Sequence, residues 1–120
     1  MRFWPALALA FAVFSYTPPP ANAQTRIAQE IGGSYRVDGT NPDGSRYSGA
    51  VTIQREGNGY RFNWLIQNGS TFTGMGLSSG SRITVDWGQP DPVIYQIGDD
   101  GVLRGTWGPG GSGRETLTPN

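Results

Sequence analysis

From Gly33 onward, apolar and polar residues alternate in short runs rich in Val, Ile, Thr and aromatics, broken by clusters of Gly, Asn, Asp and Pro. A period of two marks strands with one buried face, and turn clusters about a dozen residues apart mark an all-β chain. Tyr35 and Val37 alternate in a first strand, which Asn41-Pro42-Asp43-Gly44 turns back. Tyr47, Gly49, Val51 and Ile53 share a face of the second, which ends at Glu56-Gly57-Asn58-Gly59. Tyr60, Phe62, Trp64 and Ile66 share a face of the third, and Asn68-Gly69 after it is the strongest two-residue hairpin signal in the chain. The fourth, Thr71 to Leu77, is ambiguous in parity, because Phe72 falls with two glycines while Met75 and Leu77 fall opposite. Ile83, Val85 and Trp87 mark the fifth strand, Val93, Tyr95 and Ile97 the sixth, Leu103, Gly105 and Trp107 the seventh, and Arg114 to Thr118 the eighth.

Eight strands of about five to eight residues joined by short turns predict an antiparallel up-and-down meander. Such a sheet removes its edges by pairing its first strand with its last, so a small eight-stranded barrel is the expected fold of residues 33–119. Glycines within strands (Gly49, Gly74, Gly76, Gly105) fit strong curvature and give room to aromatic neighbours. A two-sheet β-sandwich is the alternative, disfavoured because sandwiches need longer crossings. An outer-membrane barrel needs spanning strands of roughly 9–11 residues with an apolar outer band, which this pattern does not offer.

Residues 1–23 read as a cleaved signal peptide. Arg2 supplies the positive start, Phe3 to Tyr16 is an uncharged, mostly apolar run, and Ala21-Asn22-Ala23 is a small-x-small cleavage pattern that places the cut between Ala23 and Gln24. The run is shorter than the roughly 20 residues of a spanning helix, so no integral membrane segment is expected after cleavage. The expected location is therefore the periplasm or the extracellular medium. In 24–32, Ile27, Ala28 and Ile31 are spaced for one helical turn over a barrel mouth, with a frayed terminus as the alternative.

Composition narrows the chemistry. The 120 residues contain no Cys and no His, and all nine basic residues are arginines, against nine acidic ones. The usual nucleophiles, bases and metal ligands are missing, and a serine would lack a partner base. Near-neutral charge gives no pull toward nucleic acid, and no cofactor or metal is expected. An exported domain without cysteine must also hold together by its core alone. All 19 glycines follow Ala23, where they punctuate turns and kinks rather than signal disorder.

The aromatics are the leading candidates for function. They first read as core filling, since a small barrel interior is just filled by side chains or holds one small ligand. The functional alternative is a cup for a small apolar or aromatic ligand walled by Trp64, Trp87, Tyr95 and Trp107. Asp43, Asp91, Asp99 and Asp100 read as turn residues. Asp86, Arg36, Arg61 and Arg104 read as a solvated outer face, where cross-strand pairs contribute little. A carboxylate-based hydrolase would have to use Asp86 with Glu115, a pair that spacing does not support. Leu65, Met75, Leu77, Ile94 and Val102 could form an apolar outer patch for a partner.

Gly33-Ser34-Tyr35, the run from Gly39 to Ser45, Val85-Asp86-Trp87-Gly88, Pro92-Val93-Ile94-Tyr95 and Gly105-Thr106-Trp107 resemble a family of small exported proteobacterial proteins, some labelled fibronectin-binding. That resemblance implies an exported single domain with an adhesion role, its partner a host or envelope protein, and assigns no catalytic residue. Gly33-x-Tyr35 and Gly105-x-Trp107 are similar to the Gly-x-Trp that opens avidin and lipocalin barrels, with tyrosine in the first case. The expected function is a non-enzymatic binding module acting through surface or loops; the alternatives are an interior ligand carrier and the carboxylate hydrolase.

Overall fold

A computed structural model describes residues 31–120. The leader, the Ala23–Gln24 cut and all of the 24–32 segment except Ile31 and Gly32 lie outside the described residues. Eight strands follow in chain order: β1 (Gly33–Thr40), β2 (Arg46–Glu56), β3 (Gly59–Ile66), β4 (Thr71–Ser79), β5 (Arg82–Asp86), β6 (Val93–Ile97), β7 (Leu103–Trp107) and β8 (Gly113–Pro119). Each pairs antiparallel with the next, and β1 pairs with β8 from Tyr35↔Pro119 to Thr40↔Arg114, so the sheet is a closed barrel. The up-and-down barrel is thus the fold, and the two-sheet sandwich is not.

Two strands run longer than the alternation suggested. β2 has 11 residues and β4 has 9. The cause is barrel stagger: β1 pairs with Arg46–Ile53 of β2, whereas β3 pairs with Gly49–Glu56, so β2 must extend past each neighbour.

Three connections share one hydrogen-bond pattern. In the β1–β2 turn Gly44 N–H donates to Asn41 O at 2.8 Å and Asn41 N–H to Ser45 O at 2.8 Å; Ile66 to Ser70 and Gly98 to Val102 repeat it. The middle loop residue bonds forward each time: Asp43, Asn68 and Asp100 accept the backbone N–H of Ser45, Ser70 and Val102. Gly69 has φ 93°, which closes a three-residue loop rather than the two-residue hairpin expected at Asn68-Gly69. The two-residue hairpins are instead Gly57-Asn58 and Gly80-Ser81, as the pairs Glu56↔Gly59 and Ser79↔Arg82 require.

The parity of β4 resolves in favour of its glycines. Gly74 and Gly76 are buried while Met75 and Leu77 face out. A Cβ on Gly76 would stand 2.9 Å from the Phe62 ring and 3.0 Å from Ile83, so this wall is thin where the core rings are thick. The core fills the barrel from the end bearing the β2–β3, β4–β5 and β6–β7 turns, with Tyr35, Ile53, Tyr60, Leu103 and Leu117 buried. Ile31 is buried with them, and its carbonyl accepts the Tyr35 hydroxyl at 2.5 Å.

Outside, Arg36, Arg61 and Arg104 form exposed pairs with Asp38, Glu56 and Asp100. Asp86 does not join them; its carboxylate accepts the Gly88 N–H at 3.0 Å. The apolar outer residues do not gather into one patch. Leu65 lies opposite Thr71, while Met75 and Leu77 sit beside Asp86 and Thr84, with the polar pair Asn63↔Thr73 between them. Ile94 and Val102 are only half-exposed.

Candidate functional site

At the other barrel end the β1–β2, β3–β4, β5–β6 and β7–β8 connections surround a cavity of about 300 Å³. It is small for a ligand site, at the lower end of the usual range. Its walls come from inward positions near strand ends, where the alternation that buries valine and isoleucine deeper in the barrel places large rings. Tyr47, Phe72, Trp87 and Trp107 form a chain around the opening. Phe72–Trp87, Trp87–Trp107 and Trp107–Tyr47 meet edge to face at centroid distances of 5.9, 5.8 and 6.2 Å. Below them Trp64 and Tyr95 each stack on Phe62, at centroid distances of 5.5 and 5.8 Å.

Glu115 of β8 joins the two tiers. It shares the inward face of its strand with Leu117, lines the cavity, and is only 7% exposed. Its Oε1 accepts the Tyr47 hydroxyl at 2.7 Å; its Oε2 accepts Trp64 Nε1–H at 3.0 Å and the Tyr95 hydroxyl. Trp107 Nε1–H donates in turn to the Tyr47 hydroxyl oxygen at 3.0 Å. Two indoles and two phenols from β2, β3, β6 and β7 thus converge on one carboxylate, directly or through Tyr47. Burial, and then the charge of Glu115, push the Tyr47 and Tyr95 hydroxyls well above the usual phenol range. Both phenols therefore stay donors.

Glycines across the ladder make room for these rings. Gly39, Gly105 and Gly113 are the cross-strand partners of Tyr47, Tyr95 and Trp107. A Cβ at each would lie 2.2, 2.5 and 2.4 Å from the facing ring, closer than any packed carbon. The rings lie flat over glycine backbone and cover it, an arrangement that also pins register.

Trp64, Trp87 and Trp107, expected as cup walls, all line the cavity. Trp87 is held by Nε1–H donation to Asp91 O at 2.9 Å across the β5–β6 loop. Tyr95 lies beneath the cavity instead, fully buried, and its bond to Glu115 ties it to the site. The Asp86–Glu115 pair is not brought together: Asp86 is exposed on the outer face and Glu115 points into the barrel. Among the described residues, Glu115 is the sole carboxyl residue lining the cavity. Tyr47 and the central place of Glu115 were missed from sequence, although the parity of Glu115 with Leu117 carried the signal.

No protein-family model and no curated protein matches the chain. Among solved structures, a redesigned beta barrel superposes with a TM-score of 0.56 at 21% identity, covering 79% of this chain and 96% of that chain. The likeness is one of fold. It is consistent with the ladder closure and leaves the cavity to be read from its own chemistry.

Proposed function

We propose that this chain is an exported, non-enzymatic binding module whose cavity holds one small aromatic or apolar molecule. The observation that carries this reading is the cup itself: a ring-walled opening of about 300 Å³ with a single hydrogen-bonded carboxylate in it. Apolar walls with few fixed polar groups are the usual make-up of ligand sites. A carboxylate with no second one and no basic side chain beside it among the described residues supports binding over hydrolysis. Outward arginines, aspartates, Gln54 and Asn63 support a barrel surrounded by water rather than lipid. The adhesion reading draws on the family resemblance and would use the exposed Leu65 and Leu77, 55% and 63% accessible.

The test is an NMR titration of the purified protein with a panel of small aromatic fragments, watching the indole N–H signals of Trp64, Trp87 and Trp107. Saturable shifts of these signals are expected from at least one fragment. If none moves them saturably, the cup reading is wrong.

A further inference from the structure

The proposed cup has one feature that an apolar guest would not need, namely a buried acidic group. Glu115 receives three donors, all neutral: two phenols and an indole. Among the described residues no arginine pairs with it; the exposed ion pairs lie on the outer wall. Neutral donors satisfy the geometry of a carboxylate but leave its charge without a counter-ion, and a buried charge usually has one. The donors are also unevenly shared. Oε2 takes two and Oε1 takes one, so Oε1 keeps an open acceptor position. Around the opening stand Trp87, Trp107, Phe72 and Tyr47, whose faces attract cations, most strongly where water is excluded.

Resting on the cup reading, we infer that the ligand is an organic cation, a small arylalkyl amine whose ammonium group sits against Glu115 while its apolar body lies among the tryptophan rings. The ammonium supplies the missing counter-charge and donates to Oε1. The rings accept both the apolar body and the flank of the cation. An anion of the same shape would meet the Glu115 charge at close range, and a neutral alcohol would keep the ring contacts and an uncharged hydrogen bond to Oε1 but supply no counter-charge.

The experiment compares three near-isosteric probes against the purified protein by the same indole N–H titration: phenethylamine, phenethyl alcohol and phenylacetate. Phenethylamine is expected to bind at least tenfold more tightly than phenethyl alcohol, and phenylacetate more weakly than both. In Glu115→Gln, checked for retained fold by near-UV circular dichroism, the preference for the amine over the alcohol should vanish. Selectivity of the unaltered protein needs no variant, so the inference remains testable if Glu115→Gln does not fold. Equal binding of amine and alcohol, or an amine preference that survives Glu115→Gln, overturns the cation site and leaves the cup standing. Failure of all three probes to give saturable shifts overturns both.

Discussion

Replacing Gly105 by alanine tests whether ring-over-glycine packing sets the site. The added methyl would stand 2.5 and 2.8 Å from Cδ1 and Cε1 of Tyr95 and 3.1 Å from the Ile94 carbonyl oxygen. Carbon pairs rest at about 3.5–4.0 Å, so the ring must retreat by roughly 1 Å. It has nowhere to go: Tyr95 is fully buried, lies parallel to Phe62 within 5°, and its hydroxyl is fixed on Glu115. Overpacking costs roughly 1–3 kcal/mol. Pulling the hydroxyl off a buried carboxylate adds about 1.5–3 kcal/mol. A total of roughly 2.5–6 kcal/mol is a large part of the 5–15 kcal/mol typical of a domain. The melting temperature should fall by about 10 °C or more. Gly32→Ala is the control, because its Cβ would meet only the Ile53 carbonyl at an ordinary 3.7 Å. It should melt within about 3 °C of the parent, or slightly higher through the stiffer unfolded chain. Combining Gly105→Ala with Tyr95→Phe should be markedly non-additive, since both remove the same hydrogen bond. A Gly105→Ala protein melting within about 3 °C of the parent would refute the argument.

Two further outcomes follow from named groups. Gly69→Ala meets no atom within 4 Å but forces a φ of 93° on a residue with a Cβ, so it should cost about 1–2 kcal/mol by urea denaturation, and Gly69→Asn less; equal midpoints for all three proteins would contradict the turn assignment. Tyr35 is pushed up to about 12 by burial and by Tyr60, and burial and the Glu115 charge also raise Tyr47 and Tyr95. A raised phenol favours the folded state fully below the unfolded value near 10, and that contribution is lost as pH rises through the folded value. Stability should therefore begin to fall above about pH 10. The phenolate absorbance of Tyr47 and Tyr95 should appear only together with unfolding; their ionisation in a still-folded protein would count against the carboxylate node.

Strand order and the inward face of most strands were legible because alternation is a local property: Val51 and Ile53 or Ile83 and Val85 declare a face without reference to any partner. β4 did not, since Gly74 and Gly76 carry no side chain to reveal direction; only Phe62 and the β5 side chains of Ile83 and Val85 in the assembled barrel explain why that face must be bare. The pairing of Gly105 with Tyr95 depends on the β6–β7 register, which no single strand encodes. Glu115 was hidden for a different reason. In Arg114-Glu115-Thr116-Leu117-Thr118 the carboxylate reads as one more charged side chain facing water, and only donors from β2, β3 and β6 make its burial tolerable. The turn at Asn68-Gly69 was placed correctly but came out one residue longer, because the Asn68 side chain captures the Ser70 N–H.

Closure of the barrel also dictates when the chain can fold. β1 is hydrogen-bonded to β8, and Asn120 Nδ2–H reaches the Ser34 hydroxyl across 86 residues of sequence. The carboxylate that gathers Tyr47, Trp64 and Tyr95 is itself on the last strand. A chain lacking β8 therefore has an open edge on both β1 and β7 and an unanchored set of rings. The rate-limiting event should be a late, long-range seam formation, placing folding in the slow millisecond-to-second regime of high contact order. Until β8 has docked, the sheet stays open between β1 and β7 and the rings have no shared acceptor.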